Sequence, residues 1–323
     1  MLPDRPLVTV ATLTFRRPGD LAVLLPQLVA QAGSVASDAV VEIVVVDNDP
    51  DGGAREAVEQ FAALHRGGAS VVYLHEPEPG ISAGRNRALA AASASDLLVF
   101  IDDDERPTED WLQLMLATYL RSRPAAVVGR VVSEFDGALD PWIQAGGFFD
   151  RRSVPTGTIV SVAATNNLLL DMAVVRALDL SFDPAFGITG GGDTMFTRQL
   201  VASGAVMVWC DEAVVFDSVP ASRMTRRWVL NRALRSGNSW TVTSVRLQKS
   251  VVGRTAVRLA MTASGAIRLV VGSLRLAVGI VTRRIVHEAR GSRTQMRGVG
   301  MIGGAWGYRY QEYRRAPRER AKR

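Results

Sequence analysis

Four acidic side chains in a row, Asp102-Asp103-Asp104-Glu105, follow the apolar residues 97–101. Adjacent carboxylates repel one another unless a cation joins them. Hard oxygen ligands suit Mg²⁺ or Mn²⁺, which bind through one or two carboxylates together with the phosphates of a substrate. The alternative is a solvated acidic turn favouring the dipole of the helix that follows. A second acidic group, Asp47-Asn48-Asp49, ends another apolar run, 40–46. The stretch Pro79-Gly80-Ile81-Ser82-Ala83-Gly84-Arg85-Asn86-Arg87 is a turn running into a helix whose first turns carry two arginines. Such a helix start attracts a diphosphate, or else is a solvated surface. Asp193 follows Gly190-Gly191-Gly192, where the backbone can approach a ligand closely, and stands where a helix through residue 203 should begin, a natural capping position.

These groups need elements to hold them. Apolar, β-rich runs at 7–15, 40–46, 70–75 and 97–101 read as strands, and helical spacing at 21–31, 54–65 and 82–92 separates them. This βαβαβαβ alternation predicts an α/β fold with a mostly parallel sheet flanked by helices, and ligands then bind at the carboxyl ends of the strands. Further on, a helix is expected over 111–120, a strand over 125–132, and a strand over 159–170 interrupted by Thr165-Asn166-Asn167. Asp171 should cap a helix over 172–177, and 206–211 with 213–216 should form a last strand pair. The aromatic, glycine-rich loop 142–149 either stacks on a sugar or forms a buried cluster. Arg223, Arg226, Arg227, Arg232 and Arg235 lie on or near a helix ending about residue 240, where they could meet the phosphates of either of two substrates.

The 323-residue chain carries a net charge of +6, a pI near 10.0 and one cysteine, Cys210. No intramolecular disulfide can form, which fits a reducing cytoplasm, and the first residues show no export signal pattern. No dinucleotide fingerprint follows the first strand and no P-loop occurs. The basic balance calls for an anionic partner. An acidic first half and an arginine-rich C-terminal third suggest a catalytic half and a docking half, with anionic lipid rather than nucleic acid as the surface met. In residues 251–284 no uncharged run approaches the ~18 residues of a bilayer span. Wound as a helix, that segment places Arg254, Arg258, Arg268, Arg275 and Arg283 on one third of its circumference, opposite an apolar face. It is expected to lie peripherally in the headgroup plane on the cytoplasmic face. Gly265, Gly272 and Gly279, seven residues apart, would allow close packing on another helix. The expected division is a catalytic domain over 1–240, an amphipathic helical region over 241–310 and a basic tail over 311–323.

The ordered set Val45-Val46-Asp47-Asn48, Pro79-Gly80-Ile81-Ser82 with Arg85-Asn86, and Ile101-Asp102-Asp103-Asp104 resembles the inverting family 2 glycosyltransferases of the GT-A fold, of the type serving bacterial polysaccharide and lipid-linked saccharide assembly. The likeness covers roughly 7–240. It implies a nucleotide-sugar donor, a UDP-sugar in the first instance, and a saccharide or lipid-linked acceptor. It also implies Asp47 on the base, Arg85 near the nucleotide, and Thr12, Thr14, Asp102, Asp103 and Asn166 as further donor contacts. Asp102 and Asp104 become the ends of a D-x-D motif, Asp104 on Mg²⁺ or Mn²⁺ and Asp102 on ribose or metal. Asp193 becomes the general base for the acceptor hydroxyl. Two departures stand out. The usual Glu-Asp pair is Gly192-Asp193, and Asp217 occupies the place of a frequent histidine ligand, where it either supplies a metal oxygen ligand or caps a loop. A sugar nucleotidyltransferase would need a glycine-rich basic loop after the first strand, which residues 12–17 lack. A non-catalytic membrane-binding module is the other alternative.

Overall fold

In the computed structural model, which describes residues 5–65 and 68–310, the first half alternates as its hydrophobic pattern dictates. Its elements are β1 (Leu7–Thr14), α1 (Pro18–Ser34), β2 (Val40–Asp47), α2 (Arg55–Leu64), β3 (Ser70–His75), α3 (Ile81–Ala91) and β4 (Leu97–Asp102). Each crossover passes through a helix, so β3, β2, β1 and β4 lie side by side and parallel. The second half contains β5 (Glu105–Pro107), α4 (Trp111–Ser122), β6 (Ala126–Phe135), α5 (Pro141–Gly146), β7 (Ile159–Val160), β8 (Asn167–Asp171), α6 (Met172–Ala177), α7 (Gly192–Ala202) and β9 (Met207–Val219).

The complete sheet runs β3-β2-β1-β4-β8-β6-β9-β5, with β7 on β9. It is mixed rather than mostly parallel: β4 with β8, β8 with β6, β5 with β9 and β7 with β9 are antiparallel. The physical reason is that β5, β7 and β8 enter from turns and loops, without the helical crossover that forces neighbours parallel. The expected pair at 206–216 is one strand, β9, whose extra residues 211–213 bulge opposite the Gly129/Arg130 step.

Alternate residues of the central strands feed two cores. Val10, Ile43 and Val99 face α1 and α4 through Leu24, Leu28, Trp111 and Met115. Ala11, Val44 and Phe100 face the other way, toward Phe182, Phe196 and Leu200. A third cluster joins Trp142, Phe148 and Phe149 to Val219, Val229 and Ala289. Segment 142–149 is therefore a short helix with a buried aromatic cluster. These rings, each less than a tenth exposed, are not a platform for a sugar.

The chain continues through α8 (Arg226–Arg246), which passes residue 240 unbroken, into α9 (Val251–Thr282) and α10 (Ile285–Ala305). The glycine face of α9 packs on α10 at backbone distance: a Cβ at Gly272 would come 2.8 Å from the Gly291 carbonyl oxygen. In the same way α10 crosses α8 at Gly300, where a Cβ would overlap the Leu234 carbonyl oxygen. The arginine stripe shares the glycine sector, so Arg268 and Arg275 are half-buried. The opposite face, with Leu259, Ile267, Val270, Leu274 and Val278, is exposed. One expectation changes here. By length and composition α9 is apolar enough to cross a membrane, its most apolar stretch carrying no more than two charged residues, whereas the lack of a long uncharged run had argued against a span. The basic tail, 311–323, lies outside the described residues.

Candidate active site

β4 ends at Asp102, and Asp103-Asp104 form the turn that hands the chain to β5. Because β5 pairs with β9, Glu105 lies directly opposite Asp217. Five carboxylates thus meet at the seam between the two halves of the sheet. Asp103 accepts hydrogen bonds from Thr14 Oγ1 (2.8 Å) and Arg17 Nη1 (2.9 Å), and Asp104 accepts one from the same Arg17 nitrogen (2.7 Å). Arg223 approaches Asp104 at 3.9 Å. Glu105 accepts from the Asp102 backbone N–H (3.1 Å) and from Asn166 Nδ2 (2.6 Å). Asp217 is paired with Arg151.

Burying these acids side by side moves their titration. Burial, with the charges of Asp104, Asp103 and Asp217 beside it, pushes the Asp102 carboxyl up to about 7 against the pull of Arg85. Burial raises Asp103 to about 6, although Arg17 and Thr14 favour its charged form. Glu105 is driven well above the ordinary range by burial and by Asp102. Burial opposes the charge on Arg17, yet Asp103 and Asp104 outweigh it and raise its pKa. The turn is short of positive charge.

Among the described residues, no three carboxylate, histidine or cysteine side chains converge as a ready-made metal cage. The donor set still suits a magnesium-like ion, which takes one or two carboxylates and completes its shell with substrate phosphates and water. Asp102 and Asp104 are the residues that would hold it, with Asp217 close enough to shift the Asp102 titration.

Next to the turn, Asn166 and Asn167 begin the wall of a cavity of about 270 Å³ that Asp193, Thr194, Arg151, Arg152 and Trp209 also line. Asn167 is fixed from below. It accepts from Trp111 Nε1 (2.9 Å) and donates to the Arg130 and Ala213 carbonyls (2.9 Å each), in space that any side chain at Gly129 would fill. Gly191, with φ +90°, turns the chain into α7 and is the residue before its first turn. Asp193 therefore sits inside the first turn rather than capping it, and its Oδ1 accepts the Thr194 N–H at 2.7 Å.

The remaining expected donor residues are organised differently. The Asp47 carboxylate is buried and accepts from the backbone N–H groups of Asp49 and Ala54 and from Tyr73 Oη, which shapes the loop after β2. Asn48, not singled out as a donor contact, ties that loop to the start of α3 by donating to the Glu76 and Glu78 carbonyls and accepting from the Gly80 N–H. Arg85 is buried over the Phe182 ring and acts on Asp102. Thr12 Oγ1 is buried without a partner among the described residues. Sequence reasoning missed Arg17 and Arg151, the cations that meet the acidic seam. A basic residue just past β1, beside the strand that ends in the acids, was the available signal for Arg17.

A mixed sheet with an acidic turn at the end of a central strand, next to a cavity holding a carboxylate at a helix start, defines an α/β protein of the GT-A class. Residues 9–178 match the family described as Glycosyl transferase family 2. The chain is 31% identical over 239 residues to the succinoglycan biosynthesis protein ExoM of Rhizobium meliloti (strain 1021), covering 74% of this chain and 75% of that one. The chain belongs to glycosyltransferase family 2. Among solved structures, the mannosyltransferase PcManGT from Pyrobaculum calidifontis, in complex with GDP-Man and Mn²⁺, matches with a TM-score of 0.60 at 16% identity over 94% of this chain and 88% of that chain. TarS 1–349 of S. aureus, in complex with UDP, matches with a TM-score of 0.51 at 15% identity over 94% and 93%. At such identities these two establish the fold alone.

Proposed function

We propose that this glycosyltransferase is inverting and divalent-metal-dependent, and that it moves a sugar from a nucleoside diphosphate, UDP in the first instance, to a lipid-linked saccharide in cell-surface polysaccharide assembly. The observation that carries the reading is the Glu105–Asn166 hydrogen bond, which joins the acidic turn to the cavity of Asp193. A donor whose phosphates lie against the turn would present its sugar beside Asn166, within the cavity that a second hydroxyl-bearing molecule must enter to meet Asp193.

In this scheme Asp193 takes the acceptor hydroxyl's proton as that oxygen attacks the anomeric carbon from the face opposite the leaving phosphate. Its anchored Oδ1 leaves Oδ2 for this work. Arg17 and Arg223 lie against Asp104 and can turn toward phosphate oxygens once the acids have another counter-charge. A bound Mg²⁺ or Mn²⁺ would neutralise charge on the departing diphosphate. Glu105 keeps Asn166 oriented, and Asn48 holds the α3 start in place. Support for a divalent ion and a nucleotide-sugar donor comes from the ligands named for PcManGT and TarS, and support for a polysaccharide product from the name of ExoM.

The exposed apolar face of α9 supports a membrane-surface location. Crossing would require the helix to leave α10 or carry it along, and α10 bears Glu288, Arg290, Arg293 and Arg297, charges too costly for a bilayer core. Lying in the headgroup plane, α9 buries its apolar side while Arg254, Arg258 and Arg283, all exposed, reach anionic headgroups. The single cysteine suits the cytoplasmic side. Incubation with a panel of UDP- and GDP-sugars tests the reading. One donor should release its nucleoside diphosphate, with chelator abolishing release and Mn²⁺ restoring it. No turnover of any donor, or turnover indifferent to chelator, would refute the donor class or the metal dependence respectively.

A further inference from the structure

Arg232, on α8, stands out among the arginines near the site. Arg17, Arg151, Arg226 and Arg246 each pair with a carboxylate. Among the described residues Arg232 has no hydrogen bond or ion pair. It lies over the rings of Phe149 (5.6 Å) and Trp228 (5.4 Å), which stack on each other. The charges that act on it are Arg151, Arg235 and Arg223, against one carboxylate, Asp217, which Arg151 already engages. Burial, followed by these neighbouring guanidiniums, pushes Arg232 down to about 9. A guanidinium held among other guanidiniums and aromatic faces is stabilised when an anion joins it.

The location narrows which anion. Arg151 also lines the cavity that contains Asp193, so the anion belongs to a molecule that reaches that cavity. In the glycosyl-transfer reading the donor's phosphates lie at the acidic turn, where Arg17 and Arg223 meet Asp104. The aromatic cluster beneath Arg232 continues to the α9–α10 hairpin. Trp142 stacks on Phe148 and donates from Nε1 to Glu288 Oε1 on α10 (3.1 Å), and Arg293 of α10 lies over the Phe148 ring.

We infer that Arg232, with Arg151, binds the phosphate or diphosphate group through which the acceptor saccharide is attached to its lipid. This rests on the glycosyl-transfer reading above and adds to it a dedicated acceptor subsite, separate from the donor's phosphates. The saccharide's reactive hydroxyl then extends to Asp193 while the lipid runs toward the exposed face of α9.

The test uses the full chain and its Arg232→Gln and Arg232→Lys variants, with urea midpoints confirming that all three are folded. Flotation is measured with phosphatidylcholine vesicles carrying a polyprenyl diphosphate, and with vesicles of equal surface charge carrying phosphatidylglycerol. UDP with Mn²⁺ is titrated separately. The wild type should prefer the diphosphate vesicles, and inorganic pyrophosphate should compete for them. Arg232→Gln should weaken that binding by roughly tenfold while leaving phosphatidylglycerol binding and UDP affinity unchanged, as expected when one charge-assisted contact is lost. Arg232→Lys should retain part of the preference. Equal vesicle binding by wild type and Arg232→Gln would overturn the inference, and so would a loss of UDP affinity, which would assign Arg232 to the donor. If the wild type bound no nucleotide at all, the underlying reading would fall, and this subsite with it.

Discussion

Replacing Arg17 by Gln removes the principal cation of the acidic turn, and the structure sets the size of the effect. Asp103, whose side chain is 6% exposed, loses a partner at 2.9 Å, and Asp104 loses one at 2.7 Å. Arg17 itself is 37% exposed, so water screens part of the pair. Exposed pairs contribute ~0–1 kcal/mol and broken buried pairs cost ~3–5 kcal/mol, which puts this half-open pair at about 1–2 kcal/mol. The loss should depend on pH. The folded-state pKa values of Asp102, about 7, and Asp103, about 6, lie above those of the unfolded chain. The stability these retained protons provide is present at low pH and lost as pH rises through 6 to 7. Arg17 favours the charged carboxylates, so its removal should destabilise more at about pH 8 than at about pH 5.5, where Asp103 is largely neutral and the Asp104 contact is what remains to lose. Urea denaturation of both proteins at the two pH values measures this, and added Mn²⁺ should recover more stability in Arg17→Gln than in wild type. An equal loss at both pH values, or none at either, would refute the role given to the pair.

The hairpin and its exposed face give two further tests. Gly300→Ala should cost about 1–3 kcal/mol or more, because the new methyl meets the Leu234 backbone and pushes α10 off α8; an unchanged urea midpoint would show that the crossing can open without penalty. Val270→Asp with Leu274→Asp should leave the urea midpoint unchanged, since both side chains are more than half exposed. The pair should reduce flotation with anionic vesicles by more than tenfold, because burying one such side chain contributes roughly 1.5–3 kcal/mol. Flotation that survives the double substitution would remove α9 from the membrane account.

The first half of the fold was legible because β1, β2 and β4 are largely buried on both faces and the helices α1, α2 and α3 separate the parallel strands. The second half was harder for local reasons. β5 is three residues long, β8 begins inside the polar stretch Thr165-Asn166-Asn167, and β9 bulges at 211–213, which in sequence resembles a break. In sequence Asn167 is one of three polar residues interrupting an apolar run, and the partners that let it be buried, Trp111 and the space at Gly129, are distant in the chain. The acidic turn was visible as a run of like charge. Its counter-charge was not, because Arg17 reaches it from 86 residues away, through the adjacency of β1 and β4. Similarly, heptad-spaced glycines announced that α9 packs closely on a helix, but only the structure shows that the arginine stripe shares that packed sector.

The central claim is that Asp193 is the base of a glycosyl transfer, and Asp193→Asn tests it most directly. Asparagine can still accept the Thr194 N–H, and the lost charge at the α7 start costs only ~0.3–1 kcal/mol. With the donor identified by the nucleotide-sugar panel, donor affinity by calorimetry should stay within about twofold of wild type, while transfer to acceptor in a membrane lipid extract should fall by roughly 10²–10⁴. Transfer at the wild-type rate, or a loss of donor affinity matching the loss of transfer, would contradict the account.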